Sequence, residues 1–413
     1  PSARSRQMRR IVELCEKTSI PFRTLPCMQD LVAGRVSINT LREVSIEDLL
    51  GRDPVKLDRQ AISAELSGRC VLISGGGGSI GTELCRQVAI LKPEKLVLLD
   101  NSEFNLFRVE RELRQKVPGT EIHAILGDVA DEAAVEHLFR TLRPDIVYHA
   151  AAYKHVPMLE SQLREAIRNN VLGTRIMALA ADRHGCDAFV LISTDKAVNP
   201  ANIMGASKRI AEIFCQNLNQ HSTTRFITVR FGNVLGSDGS VVPLFKSQIE
   251  TGGPVTVTHP EMMRYFMTIP EACQLILQAE AMGKGSEIFV LNMGEPVRIT
   301  YLAEQMIRLS GNEPGKDIEI VYTGLRPGEK LFEELFHEKE QLEGTQHEKI
   351  LLAQHRKIDW QRLNEVIASM ETACLGYDED TLMGSIGELV PELHHIEKKL
   401  PKNVIHLDVK QAK

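Results

Sequence analysis

The sequence predicts an α/β fold in which a doubly wound parallel sheet is followed by a smaller C-terminal region. From residue 69 to about 232, short apolar segments alternate with segments of helical pattern. This alternation is typical of a parallel sheet that carries helices on both faces. The first apolar segment, 70–74, runs into a glycine-rich turn and then into a helical pattern. After about residue 236 the alternation stops, which marks the start of the second region.

Each predicted element follows from its local pattern of apolar and polar residues. The predicted strands cover 70–74, 95–100, 121–126, 145–149, 187–193 and 225–230. The predicted helices between them include 79–91, 103–116, 131–141, 158–184 and 205–220. Beyond them, the sequence predicts short strands at 254–258 and 262–267 and mostly helix over 331–400.

The composition indicates a soluble globular protein with two or more domains. The 413 residues are 43% hydrophobic and 25% charged, and the formal net charge is −6. A negative net charge provides no broad field that would attract nucleic acid, and no apolar run approaches the roughly 20 residues of a membrane span. The eight cysteines are scattered without metal-ligand spacing. The sequence therefore predicts no metal site, and a reducing compartment fits it.

The N-terminal segment, 1–66, precedes the first strand of the sheet and is predicted to pack on the main domain as an appended segment. Its basic start is interpreted as a solvated helix face, with proximity to anionic lipid as the alternative. The basic residues are Arg4, Arg6, Arg9 and Arg10. The chain begins with Pro1 rather than methionine, from which we expect a fragment of a longer protein.

The glycine-rich turn has the character of a dinucleotide-binding site. Gly75 permits the tight turn, Gly78 lets the backbone approach a pyrophosphate, and Gly81 allows the next helix to pack closely on the strand. Ser79 and Ile80 begin that helix, and the free amides and positive end of a helix attract phosphate.

The ends of the next three strands complete the predicted cofactor site. Asp100 lies about 20 residues beyond the glycines, where a carboxylate binds the adenosine ribose. Because this charge would repel a ribose phosphate, NAD is favoured over NADP. Asp128 and Val129 follow the third strand at the adenine edge. Ala150 and Ala151 follow the fourth, and their small side chains leave room for a flat cofactor.

The chemistry is predicted after the fifth strand. Thr194, Asp195 and Lys196 emerge there and place an acid beside a base. Met204 and Lys208 lie four residues apart on the following helix, and therefore on one face, from which Lys208 can reach the nicotinamide ribose.

Two other features are candidates for binding. His149 and His155 flank the end of the fourth strand and are interpreted as structural or positioning residues rather than catalytic ones. The turn over 324–330 is rich in charge, and it suits an anionic ligand because arginine can bind a diphosphate through two hydrogen bonds.

Taken in order from Ser74 to Lys330, these motifs together resemble the extended short-chain dehydrogenase/reductase family. The Ser-Thr-Asp-Lys-Ala run at 193–197, the Met204/Lys208 pair and the Leu-Arg-Pro-Gly-Glu-Lys run at 325–330 resemble bacterial nucleotide-sugar 4,6-dehydratases. More narrowly, the chain resembles the soluble part of the membrane-anchored UDP-N-acetylglucosamine 4,6-dehydratases of polysaccharide biosynthesis. The appended segment shares this resemblance, notably at 34–37 and 47–52.

The resemblance implies three sets of site residues and no metal. The catalytic residues would be Thr194, Asp195, Lys196, Met204 and Lys208. The cofactor-binding residues would be Gly75, Gly78, Ser79, Ile80, Gly81, Asp100, Asp128, Val129, Ala150, Ala151, Tyr153 and Lys208. The substrate-binding residues would be Lys154, His155, Asn170, Asn233, Arg264, Arg326 and Glu329.

The resemblance also implies a mechanism, in which NAD carries a hydride from carbon 4 of the hexose to carbon 6. Lys196 would remove the proton from carbon 5, which requires a neutral lysine with a depressed pKa. Asp195 would protonate the leaving hydroxyl on carbon 6, and Thr194 would hold a sugar hydroxyl. Met204 departs from the wider family, which places a tyrosine there as the base for carbon 4. The acceptor of that first proton is therefore Asp195 or a bound water.

Two alternatives differ in function. A UDP-sugar 4-epimerase shares the fold, NAD and oxidation at carbon 4, but it does not need the Asp195–Lys196 pair. A non-catalytic NAD or nucleotide-sugar sensor would explain the missing tyrosine, but not the retained Lys208.

The resemblance further implies the division of the chain and its surroundings. The predicted segments are the appended segment 1–66, the NAD-binding Rossmann domain 67–235, the substrate-binding region 236–345, which returns to the Rossmann domain around 266–292, and a helical segment 346–413. A homo-oligomer, a dimer or larger, is expected, with helices 158–184 and 205–220 pairing two subunits. A missing N-terminal anchor would hold the enzyme on the cytoplasmic side of the bacterial inner membrane, where it would serve surface polysaccharide or O-antigen synthesis.

Overall fold

The computed structural model describes residues 55–336, 342–353 and 358–393, together with single positions and short stretches between Gln7 and Asp48. In the N-terminal part, two-residue strands β1 and β2 pair antiparallel. Their bounds are Arg23–Thr24 and Arg42–Glu43. The predictions for 1–6, most of 20–31 and the tail 394–413 lie outside the described residues.

Up to residue 231 the strands follow one another in the predicted order, whereas the single helix predicted over 158–184 is divided into separate helical segments. The strands are β3 Cys70–Ser74, β4 Lys95–Asp100, β5 Glu121–Leu126, β6 Ile146–His149, β7 Ala188–Thr194, β8 Arg225–Phe231, β9 Asn233–Val234, β10 Val255–Val257, β11 Met263–Arg264, β12 Phe266–Met267, β13 Ile288–Leu291, β14 Val297–Arg298, β15 Ile320–Tyr322, β16 Glu343–Gly344 and β17 Ile350–Ala353. The α-helices are α1 Arg59–Leu66, α2 Ser79–Ile90, α3 Glu103–Lys116, α4 Glu132–Leu142, α5 Val156–Leu159, α6 Leu163–Ala166, α7 Gly173–Arg183, α8 Ile203–Leu218, α9 Val241–Glu250, α10 Ile269–Met282, α11 Ile299–Leu309, α12 Trp360–Gly376 and α13 Glu379–Leu389. A π-helix, Ile167–Leu172, joins α6 to α7.

Among the described residues, nine strands form the central sheet in the order β16-β17-β13-β8-β7-β6-β3-β4-β5. The seven strands from β13 to β5 are parallel. The chain order reverses between β3 and β6, so the carboxyl ends of these two strands open onto a crevice. In doubly wound sheets, ligands bind at this switch point. The predicted α/β fold with a doubly wound parallel sheet is confirmed.

Two apolar cores cover the two faces of the sheet. One contains inward residues of β3 and β4, such as Leu72 and Val97, packed on helices α4, α7, α8, α12 and α13. The other contains their neighbours Val71 and Ile73, packed on α1, α2, α3 and α10. Buried strands of this kind read as continuous apolar runs because both faces are covered.

The C-terminal part differs from the prediction. Helix was predicted over most of 331–400, but Ile350–Ala353 forms strand β17, which pairs antiparallel with β13, and β16 pairs with β17. The short apolar run gave no periodicity that separates a buried strand from a helix. Helices α12 and α13 do follow within the predicted helical region.

Helix α8 is buried along its whole length, 203–218. Helices α12 and α13 of the same chain cover it, and the rings of Phe214 and Trp360 lie 5.6 Å apart between centroids. The prediction that 205–220 pairs two subunits is therefore wrong for this helix, because its surface is occupied within the chain. Oligomerisation through other surfaces stays a prediction.

The region after β9 has a smaller apolar core of its own. Its residues include Phe245 of α9, Val255 of β10 and Leu302 of α11, and Val44 and Ile46 of the N-terminal segment join them. Strand β10 pairs with β15. Strand β12 pairs with β9, and this pairing brings the chain back to the main domain. The bounds predicted for the four segments stay a prediction.

Within the part of the chain that the structure describes, no helix is both long and apolar enough to cross a membrane.

Glu280, on α10, is a buried carboxylate whose ionisation opposes folding. Its side chain is fully buried and accepts a hydrogen bond from Arg225 at 3.2 Å. Burial raises its pKa from 4.5 to about 7, although Arg225 opposes the shift. Between these two pH values the folded state binds more protons than the unfolded state, so the free energy of unfolding falls as pH rises through this window.

We expect Glu280→Gln, which cannot ionise, to be more stable than the wild type at pH 8 by at most about 3 kcal/mol. At pH 4 the two should be equally stable. Urea unfolding at both pH values measures the difference, with Glu250→Gln on the exposed side of α9 as the control. A stability difference that is the same at both pH values would contradict the prediction.

Candidate active site

Two adjoining cavities lie at the carboxyl ends of the parallel strands. The larger is about 750 Å³ and the smaller about 130 Å³. The larger cavity brings together most of the predicted site: Gly75, Gly78, Ser79, Ile80, Gly81, Ala150, Tyr153, Lys154, His155, Thr194, Lys196, Met204, Lys208 and Asn233. The smaller adds Asp100, Val129 and Ala151. The walls of these two cavities do not include Asp128, Asn170, Asp195, Arg264, Arg326 or Glu329.

The glycine turn has no room for side chains at two of its positions. A Cβ on Gly75, whose φ is +69°, would lie 2.6 Å from the amide nitrogen of Ala151. A Cβ on Gly81 would lie 2.0 Å from the carbonyl oxygen of Gly75. Gly78 caps helix α2 without any side-chain hydrogen bond. The first amides of α2 therefore face the cavity without a side-chain acceptor, as anion sites at helix N-termini do.

Asp100 lies at the end of β4, as predicted, and its carboxylate also supports the turn. It accepts hydrogen bonds from the amides of Gly77 and Ser102, each at 2.8 Å. These bonds fix the carboxylate at the wall of the smaller cavity. Asp100 therefore has a structural task in addition to any contact with a ribose.

Asp128 and Val129 differ in their orientation. Val129 lines the smaller cavity, whereas the Asp128 carboxylate accepts a hydrogen bond from Arg168 at 2.7 Å and another from the amide of Ala130 at 2.9 Å. The Asp128 carboxylate is therefore already hydrogen-bonded to Arg168. Its contact with the adenine edge stays a prediction from its position after β5.

Asn170 acts from below the cavity wall. Its amide oxygen accepts from the backbone of Tyr153 at 2.8 Å, and its amide nitrogen donates to the carbonyl of Tyr153 and the hydroxyl of Ser207, each at 3.0 Å. Asn170 is fully buried. It therefore holds the segment that carries Tyr153 and Lys154 rather than facing a substrate itself.

The loop after β9 lines the larger cavity through Ser237, Gly239 and Ser240. Lys154 donates to the carbonyl of Asp238 at 2.8 Å, and the Asp238 carboxylate accepts from the hydroxyl of Ser79 at 3.1 Å. A Cβ on Gly239 would lie 2.5 Å from the ring of His155. This loop therefore connects the glycine turn to the Lys154–His155 segment through hydrogen bonds. Nothing in the sequence indicated this contact.

Thr194, Asp195 and Lys196 form one hydrogen-bonded group at the end of β7. The Asp195 carboxylate accepts from the Thr194 hydroxyl and from the Lys196 ammonium, each at 2.9 Å. Lys196 also donates to Asn233 at 3.0 Å. The side chain of Asp195 is fully buried, whereas its hydrogen-bond partners Thr194 and Lys196 line the cavity wall.

The prediction that Lys196 has a depressed pKa is wrong. Burial lowers the pKa, but the nearby carboxylates of Asp195 and Glu333 outweigh it, so the pKa of Lys196 lies above its ordinary value. The sequence did not reveal Glu333, which approaches Lys196 from a segment 137 residues further along the chain.

Met204 and Lys208 line the same wall, as predicted from their spacing. Burial lowers the pKa of Lys208 to about 8, and Glu212 opposes the shift. Asn202 caps α8 by accepting from the amide of Gly205 at 2.7 Å. Gly205 has no room for a Cβ, which would lie 2.2 Å from the carbonyl oxygen of Lys196, so the start of α8 packs directly on the catalytic candidates.

His149 is a structural residue, in agreement with its interpretation from the sequence. Its ring is fully buried between the hydroxyls of Ser74, at 2.7 Å, and Thr174, at 3.0 Å. Burial lowers its pKa to about 3, and the positive charge of Lys208 adds to this. The ring is therefore neutral at physiological pH.

Arg264, Arg326 and Glu329 lie outside the walls of the two cavities. Arg264 is buried and donates to the carbonyls of Met263 and Lys330 at 2.7 and 2.8 Å. Arg326 and Glu329 share a turn, in which the Glu329 carboxylate accepts from the Arg326 amide at 3.2 Å.

Glu212 is a further buried group that the sequence analysis missed. It lies on α8 and accepts from Arg230 of β8 through both oxygens, each at 2.8 Å, and from Ser193 at 2.6 Å. This pairing fixes α8 beneath the site. No cluster of three or more metal-ligating side chains occurs in the described part of the chain.

Comparisons with known proteins agree with this architecture. A family model described as a polysaccharide biosynthesis protein matches residues 71–355. The capsular polysaccharide biosynthesis protein CapD of Staphylococcus aureus is 47% identical over 386 residues, which are 93% of this chain and 64% of CapD. The chain thus spans about two thirds of the length of this curated relative.

Two further proteins are similar over shorter parts. A UDP-glucose 4-epimerase of Rickettsia canadensis is 32% identical over 274 residues, 65% of this chain and 77% of the epimerase. The X-ray structure of Pen from Bacillus thuringiensis superposes with a TM-score of 0.64 at 32% identity and covers 73% of this chain and 98% of Pen.

Proposed function

The chain belongs to the polysaccharide biosynthesis protein family, within the extended short-chain dehydrogenases/reductases, and from that premise we propose that it is an NAD-dependent UDP-N-acetylglucosamine 4,6-dehydratase. The observation that carries this proposal is the Thr194–Asp195–Lys196 group, in which a base and an acid are bonded together beside one cavity. Elimination of water from a sugar needs both kinds of group at adjacent carbons.

The residues around the glycine turn fit NAD. Gly75 and Gly81 leave no space for side chains, and the N-terminus of α2 offers amides to a pyrophosphate. We assign the pyrophosphate to 75–81, the adenosine ribose to Asp100 and the nicotinamide ribose to Lys208. When bound, NAD would accept the hydride from carbon 4 and, in its reduced form, would donate it to carbon 6.

Asp195 takes the proton of the carbon 4 hydroxyl through Thr194. The Thr194 hydroxyl lines the cavity and donates to Asp195 at 2.9 Å, so it can pass one proton inward as it receives another. Met204 has no ionisable proton, and the buried Asp195 carboxylate has no direct access to the cavity. This assignment gives the first proton an acceptor that the sequence left open.

The other two proton transfers follow. Lys196, in its neutral form, takes the proton of carbon 5, which the new ketone at carbon 4 acidifies. Asp195 then returns its proton, again through the Thr194 hydroxyl, to the hydroxyl that leaves carbon 6 as water. Asn233, which accepts a hydrogen bond from Lys196, keeps the amine turned toward the cavity.

We expect Thr194→Val to lower kcat by roughly a hundredfold while KM changes little. Valine keeps the volume of threonine but removes the hydroxyl that connects the cavity to Asp195. Initial rates across substrate concentrations measure both constants, and the amount of bound NAD controls for folding. Retention of the wild-type kcat would contradict the proton path through Thr194.

The test of the function itself is incubation with UDP-N-acetylglucosamine without added reductant, followed by mass spectrometry. We expect a product that has lost one water, with no net formation of NADH. A product of unchanged mass that is UDP-N-acetylgalactosamine would instead support the 4-epimerase, which the similarity to the Rickettsia protein favours. Binding of both ligands without any product would support the sensor.

The wider setting stays a prediction from the resemblance. It includes the oligomer, a membrane anchor on the cytoplasmic side, and the glycan that receives the product. The turn at Arg326 and Glu329, together with Arg264 and Lys154, is our proposal for the contacts to the UDP part of the substrate.

A further inference from the structure

A third carboxylate, Glu333, lies beside the proposed acid and base. Its Oε1 atom is 3.8 Å from the Lys196 ammonium and 3.7 Å from the Arg264 guanidinium. Its side chain is 4% exposed. A carboxylate buried this deeply is costly unless it is paired, and Glu333 is placed against the one lysine that must change its charge.

The positive charge of Lys196 before the reaction conflicts with its proposed role as a base. In the part of the chain that the structure describes, two carboxylates lie within 4 Å of the Lys196 amine and hold it as an ammonium, yet the base that attacks carbon 5 must be neutral. Asp195 cannot accept the proton of Lys196, because in the proposed function Asp195 has already received the proton of the carbon 4 hydroxyl. Glu333 is the other carboxylate in contact with Lys196.

We propose that Glu333 takes the proton of Lys196 once Asp195 has been protonated and returns it at the end of each turnover. This inference rests on the proposed function. Glu333 acts through Lys196 and is therefore a positioning residue, which holds a proton and does not touch the sugar.

The protons balance over the cycle. The carbon 4 hydroxyl gives its proton to Asp195, and the Lys196 ammonium gives one to Glu333. The neutral Lys196 takes the proton of carbon 5, and Asp195 gives its proton to the hydroxyl that leaves carbon 6. When the hydride arrives at carbon 6, Lys196 returns a proton to carbon 5, and Glu333 then restores the ammonium.

The charges around Glu333 suit this exchange. Burial raises its pKa and Asp195 raises it further, while Lys196, Arg264 and Lys330 oppose the shift. A carboxylate with a raised pKa is a better proton acceptor for an amine. When Asp195 becomes neutral in the first step, its contribution to the raised pKa of Glu333 is lost and that of burial remains. Lys196 loses its closest negative partner in the same step, which favours release of its proton toward Glu333.

The test compares Glu333→Gln with Glu334→Gln, a matched control on the next residue. The Glu334 side chain is about half exposed and lies near Lys330 and Asn199. At pH 7 we expect Glu333→Gln to lower kcat by roughly a hundredfold, with KM within about threefold of the wild type. As pH rises toward 10, solvent can neutralise Lys196, and the deficit should shrink. Glu333→Asp should recover part of the rate at pH 7, and Glu334→Gln should match the wild type.

A second measurement does not depend on turnover. Competitive labelling of lysine amines with acetic anhydride across pH, read by peptide mass spectrometry, gives the midpoint at which Lys196 loses its proton. We expect this midpoint to fall in Glu333→Gln and to coincide with the alkaline rise of kcat in that variant.

The outcomes separate the two proposals. A loss of kcat that is the same at every pH, or no loss, would overturn the role of Glu333, as would an unchanged labelling midpoint. If the wild type formed no dehydrated product, the proposed function would fail, and the labelling would still decide whether Glu333 governs the proton of Lys196.

Discussion

Lys196→Ala is expected to lower the rate of dehydration by roughly three orders of magnitude. The variant retains Asp195 and Thr194 but lacks the amine that we propose removes the proton from carbon 5. The cofactor residues of the glycine turn belong to a different strand end, so binding of NAD and of UDP should persist. Product formation by mass spectrometry and ligand binding by calorimetry measure the two effects.

The control for this change is Lys246→Ala, which removes an exposed lysine from α9. It should leave the rate as in the wild type. If Lys196→Ala retained wild-type activity, the assignment of the base would fail. In deuterated water, the variant should also incorporate no deuterium at carbon 5 on the time scale at which the wild type does.

Gly81→Ala is expected to weaken NAD binding by roughly tenfold to a hundredfold. Its new Cβ would lie 2.0 Å from the carbonyl oxygen of Gly75, so the turn or the start of α2 must move away from the geometry that presents its amides. Binding of NAD measured by calorimetry or by quenching of protein fluorescence tests this expectation.

Gly384→Ala on α13 is the matched control, because no atom lies within 4 Å of the position its Cβ would take. It should bind NAD as the wild type does and should be slightly more stable, since alanine favours helix over glycine. Unchanged NAD affinity in Gly81→Ala would contradict the role of the glycine turn as the pyrophosphate site.

The sequence predicted the parallel part of the sheet closely because its signals are local. Each strand is an apolar run bounded by turn residues, and the structure places strands at 70–74, 95–100 and 121–126, as predicted. It predicted the position of the site for a related reason. In a doubly wound sheet, residues that follow consecutive strands meet at one edge, so Thr194, Lys196 and Lys208 were placed together from their positions in the chain.

The sequence was less informative where a contact joins distant segments. Helix α8 reads as a surface helix able to pair subunits, but α12 and α13 bury it. The run at 350–353 gave no sign that it would pair with β13. Glu333 reads as one acid among several in a polar stretch, and only the folded chain brings it to Lys196.

The α/β class, the turn that suits a dinucleotide and the residue types available for acid and base chemistry could be read from the sequence, because these depend on neighbours along the chain. The raised pKa of Lys196, the burial of Asp195 and the covering of α8 by α12 and α13 became visible only in the folded chain. Those properties depend on the solvent and charges around each group, which side chains from distant segments set only when the chain is folded.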